Sequence, residues 1–128
     1  MLILLHMDLD IESTWHLMNM SPQQAESYPR KVRSLARRIQ ALPGEKIWAG
    51  FGDDSPDGEF LALSETCVSR SQGKSPVDLV AEFKSLGLKS VRIAGLWRTH
   101  CCRDLQYACS RAGIAAVVDE SLTLCRPR

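Results

Sequence analysis

The chain has 128 residues, with 16 Lys+Arg against 15 Asp+Glu and a net charge of +1. That length suits a single domain spanning residues 1–128, with a core that needs no disulfide or metal, and 45% hydrophobic residues exclude a disordered chain. The near-neutral balance argues against the concentrated basic surface that nucleic acid or an anionic membrane requires, and no apolar run approaches the roughly 20 residues that span a bilayer.

In chain order, the first element is the apolar run Leu2-Ile3-Leu4-Leu5-His6-Met7, broken by Asp8 and Asp10. It has no basic flank before it and no small-residue cleavage site after it, so it reads as a buried strand rather than a secretion signal. Unbroken apolarity fits a strand covered on both faces. Ser21-Pro22-Gln23-Gln24 starts a helix, with serine as cap, proline at the first helical position and Gln24 completing a capping box. A second helix is predicted from Pro29 to Leu42, where Val32, Leu35, Ala36, Ile39 and Leu42 form one stripe ended by Pro43-Gly44. The basic residues Arg30, Lys31, Arg33, Arg37 and Arg38 lie mostly opposite that stripe and read as a solvated face.

Lys46 to Gly50 is a short second strand. Gly52 to Gly58 is an acidic turn, in which Asp53, Asp54 and Asp57, with Glu59 beyond, lack the spacing of a calcium loop. Phe60 to Ser64 and Glu65 to Ser69 are expected to hold one or two strands. Ser75-Pro76-Val77-Asp78 starts a helix with the stripe Val77, Val80, Phe83 and Leu86, stopped by Gly87. Ser90 to Gly95 is a strand, Cys101 to Ala112 a helix stopped by Gly113, and Ile114 to Asp119 a final strand. Strands separated by helices of this length imply a parallel sheet with helices on both faces, whose ligands bind at the carboxyl ends of the strands.

The cysteines are Cys67, Cys101, Cys102, Cys109 and Cys125, an odd number without C-x-x-C spacing. Neither a disulfide framework nor a zinc site follows, and a cytoplasmic location with reduced thiols is expected. The reactive groups gather near predicted strand ends. Asp8 closes the first strand, Arg70 follows the third, and Cys101 lies six residues past Gly95 at a helix start. A helix N-terminus favours the thiolate, a nearby carboxylate takes the thiol proton, and a cation steadies the pair.

Gly95-Leu96-Trp97-Arg98-Thr99-His100-Cys101-Cys102, followed by Ala108, Arg111-Ala112-Gly113 and Val117-Val118-Asp119-Glu120, resembles the nucleophile segment of the isochorismatase-like cysteine hydrolases. That family includes nicotinamidases and N-carbamoyl amide hydrolases. The strand Leu2 to Met7 with Asp8-Leu9-Asp10 is similar to the family's first strand and its aspartate. The resemblance implies Cys101 as nucleophile and Asp8 as general base. It also implies a basic third member, for which Arg70 and Lys74 are the candidates, and a cis peptide at Leu96–Trp97 helping to form an oxyanion hole. Trp97 and the helix start at Cys101 would then supply oxyanion N–H groups, with Leu96 and His100 beside them.

The expected fold is a three-layer α/β/α Rossmann-like domain with a mostly parallel five-stranded sheet in the order 3-2-1-4-5, which sets the ends of strands one and four side by side. The expected function is a small cysteine hydrolase acting on an amide or related small molecule, without metal or cofactor. His6, His16 and His100 are scattered, and no Asp-plus-two-His cluster of the nicotinamidase kind occurs. The stretch from Gly50 to Glu65 is shorter than the family's pocket lining, and Arg70 stands where the family has lysine. These departures motivate the alternative of an inactive scaffold that binds a small molecule or a protein. A homodimer is expected in either case, and neither a membrane nor a nucleic-acid partner.

Overall fold

In a computed structural model of the chain, residues 1–7, 20–51, 58–71 and 73–126 are described. They form β1 (Leu2–Leu5), α1 (Pro22–Gln40), β2 (Lys46–Ala49), α2 (Gly58–Glu65), β3 (Ser69–Ser71), α3 (Pro76–Ser85), β4 (Ser90–Leu96), α4 (Cys101–Arg111) and β5 (Ala115–Leu124). The five strands make one sheet in the order β3-β2-β1-β4-β5, with every neighbouring pair parallel. The expected order is therefore observed.

The layering follows from the two-residue period of a strand, which sends alternate side chains to opposite faces. Leu2 and Leu4 pack on one face with Val32, Leu35 and Ile39 of α1 and with Phe60 and Leu63 of α2. Ile3 and Leu5 pack on the other with Leu79 and Phe83 of α3 and with Leu105 and Cys109 of α4. All four β1 residues are buried. This is why that segment carries no polar alternation.

Three local expectations are corrected. Ser21 caps the first helix, and its capping box with Gln24 is formed. The helix then runs unbroken through Pro29, so the two expected helices are one. A proline inside a helix removes one hydrogen bond and costs about 3 kcal/mol. Burial of Tyr28, Pro29 and Val32 along the same face offsets that cost. Phe60 to Ser64 is helical, in α2, rather than a strand. Gly58-Glu-Phe-Leu-Ala-Leu-Ser-Glu65 holds no β-branched residue, and its Leu, Ala and Glu favour helix. In α3 the buried residues are Leu79, Val80 and Phe83, while Val77 and Leu86 are 73% and 53% exposed. The apolar stripe is rotated from the expected one.

The last strand extends past Asp119 to Leu124. Its pairing slips on the way, because Ile93 faces Val118 whereas Gly95 faces Thr123. The extra residues bulge out around Asp119, whose carboxylate accepts the Ser121 N–H at 2.9 Å and hydroxyl at 2.6 Å. Those bonds, the Ser121 hydroxyl foremost, hold the Asp119 carboxyl below its usual range despite partial burial, with help from Arg92 at 3.2 Å.

Candidate functional site

The ends of β1 and β4 meet at Leu5 and Gly95, which are register partners. Beyond Gly95 the chain runs through Leu96, crosses a cis peptide bond to Trp97, and turns into α4 at Cys101. The Trp97 carbonyl accepts the His100 N–H at 3.1 Å and the Cys102 N–H at 3.2 Å, which closes this turn. Arg98 fastens it to β5. Its backbone N–H donates to the Leu124 carbonyl at 3.0 Å, and its guanidinium donates to Thr123 Oγ1 at 2.9 Å and to the Glu120 carbonyl at 2.8 Å.

The turn passes from one side of the sheet to the other. Trp97 packs on the α1–α2 side, where its indole N–H donates to the Tyr28 hydroxyl. Cys101 packs on the α3–α4 side, half-buried at the first position of α4. His100 is exposed and sets its ring edgewise to Trp97 at 6.3 Å. Cys102, next in the chain, is fully buried, and burial pushes its thiol up to about 12. Burial likewise pushes Cys109 up to about 11. These two thiols behave as core hydrophobes. Burial also raises the Cys67 thiol, against the opposing pull of Lys46 and Arg70. All five cysteines are free thiols.

The remaining sequence candidates fall in different places. Asp8 lies outside the described residues, as do Asp53, Asp54 and Asp57 of the acidic turn. Glu59 pairs with Arg33 and Arg37, each at 3.4 Å. Arg70 is exposed on β3, beside Trp48 of β2. The order of strands sets it three steps from β4, about 14 Å at the usual strand spacing. Lys74 is exposed as well, but it lies past the carboxyl end of β3, where its N–H donates to the Gly50 carbonyl at 3.2 Å. Of the two cations, Lys74 stands at the same edge of the sheet as Cys101.

His6 is a further polar residue at the end of β1. It follows Leu5 directly with φ of 54°, donates its N–H to the Ala49 carbonyl at 3.1 Å, and sets its ring edge-on to Phe51 at 5.2 Å. Phe51 packs on the same side of the sheet as Cys101. His6, Phe51, Lys74 and Cys101 thus all belong to the carboxyl edge. The available signal was the shortness of the strand, which stops at Leu5 and places His6 at its end.

A concavity of about 750 Å³ lies elsewhere, at the amino ends of β1 and β4, lined by Met1, Leu42, Pro43 and Val91 among others. None of the candidate groups lines it. Among the described residues no cluster of three His, Cys, Asp or Glu side chains is placed to hold a metal ion. Among them, too, no helix is long and apolar enough to cross a membrane. No family model matches the chain, and no curated protein or solved structure matches it.

Proposed function

We propose that the chain is a small cysteine hydrolase, similar to the isochorismatase-like amidases, that cleaves an amide or carbamoyl bond in a small molecule. One observation carries the reading: Cys101 opens α4 just beyond the carboxyl end of β4, beside the end of the central strand β1. Parallel α/β sheets bind their ligands at this edge. Cys101 Sγ attacks the carbonyl carbon, and the thiol proton passes to a group on the segment leaving β1. That group is Asp8 by the resemblance and His6 by its position at the strand end. The amine leaves with a proton, and water then releases the acid from the thioester and restores the thiol. N–H groups near Trp97 and Cys101 would hold the oxyanion, with Leu96 and His100 beside the substrate. Lys74 offers positive charge at this edge, and Arg70 is the alternative from β3. The reading needs neither metal nor cofactor.

The test is hydrolysis of an amide and carbamoyl panel by the wild type and by Cys101→Ser. Turnover that Cys101→Ser abolishes supports the reading. Turnover that survives the substitution overturns it.

A second reading is a non-catalytic scaffold that binds a small molecule or a protein. The exposure of both Arg70 and Lys74 favours it, as does the placement of the 750 Å³ concavity at the far end of the sheet. Either reading includes a cytoplasmic location, where five free thiols stay reduced. Either also includes a homodimer, because β5 is a ten-residue edge strand carrying Val117 at 60% exposure. Long edges of this kind invite pairing, and sedimentation as a monomer at high concentration would remove the dimer.

A further inference from the structure

Arg98 lies in the turn that carries the chain from Leu96 to Cys101 and is half-buried there. Its Nε donates to Thr123 Oγ1 at 2.9 Å, and one terminal nitrogen donates to the Glu120 carbonyl at 2.8 Å and to the Thr123 carbonyl at 3.0 Å. Its backbone N–H adds the bond to the Leu124 carbonyl. The side-chain acceptors belong to the slipped part of β5. There, Ala94 alone separates Ile93 from Gly95 on β4, whereas the whole stretch from Asp119 to Leu122 separates their partners on β5. A bulge of this kind takes carbonyls out of the ladder, and Arg98 satisfies two of them.

The anchor at the far end of these bonds is itself fixed. Thr123 is 2% exposed, and its hydroxyl donates to the Asp119 carbonyl at 2.9 Å while accepting from Arg98. The Asp119 carboxylate holds Ser121 within the same bulge. A guanidinium serves three acceptors at once because its donors diverge in one plane, which an ammonium group cannot reproduce. Arg98 also acts on the first turn of α4. Burial and the adjacent Cys101 push the Cys102 thiol up, and Arg98 opposes them.

We propose that Arg98 is a positioning residue for Cys101: by tying the turn to the β5 bulge, it sets where α4 starts and so where the thiol stands at the carboxyl edge. This assignment rests on Cys101 being the reactive thiol. A turn released from the bulge lets Sγ shift relative to His6 and Lys74 at the same edge, and small displacements between groups that must act together cost large factors in rate.

The experiment measures alkylation of Cys101 in the native full chain at pH 7 by peptide mass spectrometry. N-acetylcysteine in the same tube is the rate standard, because Cys125 adjoins the Leu124 that Arg98 holds. Arg98→Ala is expected to slow Cys101 about tenfold. Arg98→Lys keeps the charge and is expected to recover little of that loss. Guanidinium ion, well below denaturing concentration, is expected to restore Arg98→Ala and leave the wild type unchanged. Thr123→Val removes one acceptor, is expected to slow Cys101 several-fold, and carries the test if Arg98→Ala does not fold. Cys102 and Cys109 should stay unmodified in every variant. An unchanged or faster Cys101, or a newly modified Cys102, overturns the proposal in favour of a purely structural tie. A full rate in Arg98→Lys, or no rescue by guanidinium, overturns it as well. A wild-type Cys101 no faster than Cys125 overturns the hydrolase reading instead, and the ratio of variant to wild type still decides the role of Arg98.

Discussion

Leu5 and Gly95 face each other so closely that a Cβ built on Gly95 would lie 2.0 Å from the Leu5 carbonyl oxygen. Gly95 also holds a φ of 112°, a conformation that side chains other than glycine's strongly disfavour. The contact joins the carboxyl ends of β1 and β4, the place from which the Cys101 turn departs. Gly95→Ala must push these strands apart and strain the backbone. We expect it to destabilise the protein by about 3 kcal/mol or more, combining overpacking with a disfavoured φ. Urea unfolding followed by circular dichroism measures this directly, and a loss below about 1 kcal/mol would show that the two ends yield easily.

Two helices depend on serine caps. Ser21 accepts the Gln24 N–H and Ser75 accepts the Asp78 N–H, each at 3.2 Å. Ser21→Ala and Ser75→Ala are each expected to cost about 1 kcal/mol. The Ser21 change also leaves Gln24 without its reciprocal arrangement, so its cost should be the larger of the two in the same unfolding assay.

Buried thiols make stability fall at high pH. Cys102 and Cys109 are pushed up to about 12 and about 11 by burial, above the ordinary thiol value. Between the unfolded and folded values, the unfolded chain has lost a proton that the folded chain keeps. Stability is therefore fully present below about pH 8.5 and declines as pH rises toward the folded values, by up to about 1.4 kcal/mol per pH unit for each thiol. Unfolding midpoints at pH 8, 9 and 10 should drop in sequence. Cys102→Ala should lower stability at pH 8 and flatten the decline. An equally steep decline in that variant would assign it to other groups.

The proton acceptor for Cys101 can be separated by variants. If His6 accepts the proton, His6→Asn slows Cys101 alkylation at pH 7 about tenfold while Asp8→Asn leaves it unchanged. The reverse pattern assigns the role to Asp8. Lys74→Met is expected to slow the reaction several-fold by removing positive charge from the carboxyl edge, whereas Arg70→Met, within β3 rather than past its carboxyl end, is expected to have little effect.

The topology was legible because its signals are strong and redundant. The unbroken apolar run of β1, the capped starts at Ser21 and Ser75, and the glycines after α3 and α4 all indicate alternating strands and helices. The α2 helix was not legible, since Phe60-Leu61-Ala62-Leu63 is apolar throughout and carries no helical period. Pro29 read as a helix start because local propensity says so, and tertiary packing of its neighbours overrode it. At the carboxyl edge, Cys101 was legible from its spacing to Gly95 and Gly113. His6 was not, because a histidine inside an apolar run reads as part of the strand. The burial of Cys102 and the exposure of Cys125 depend on which face each residue takes, which spacing alone leaves open.

Cys101 is proposed as the reactive thiol at the carboxyl edge of the sheet, where it opens α4. The most direct measurement is the rate of alkylation at each cysteine as a function of pH, read by peptide mass spectrometry on the native protein. Exposed Cys125 serves as the internal reference, and buried Cys102 and Cys109 should stay unmodified. Cys101 is expected to outpace Cys125 at pH 7. A Cys101 that follows the Cys125 profile, or reacts more slowly at every pH, would contradict it.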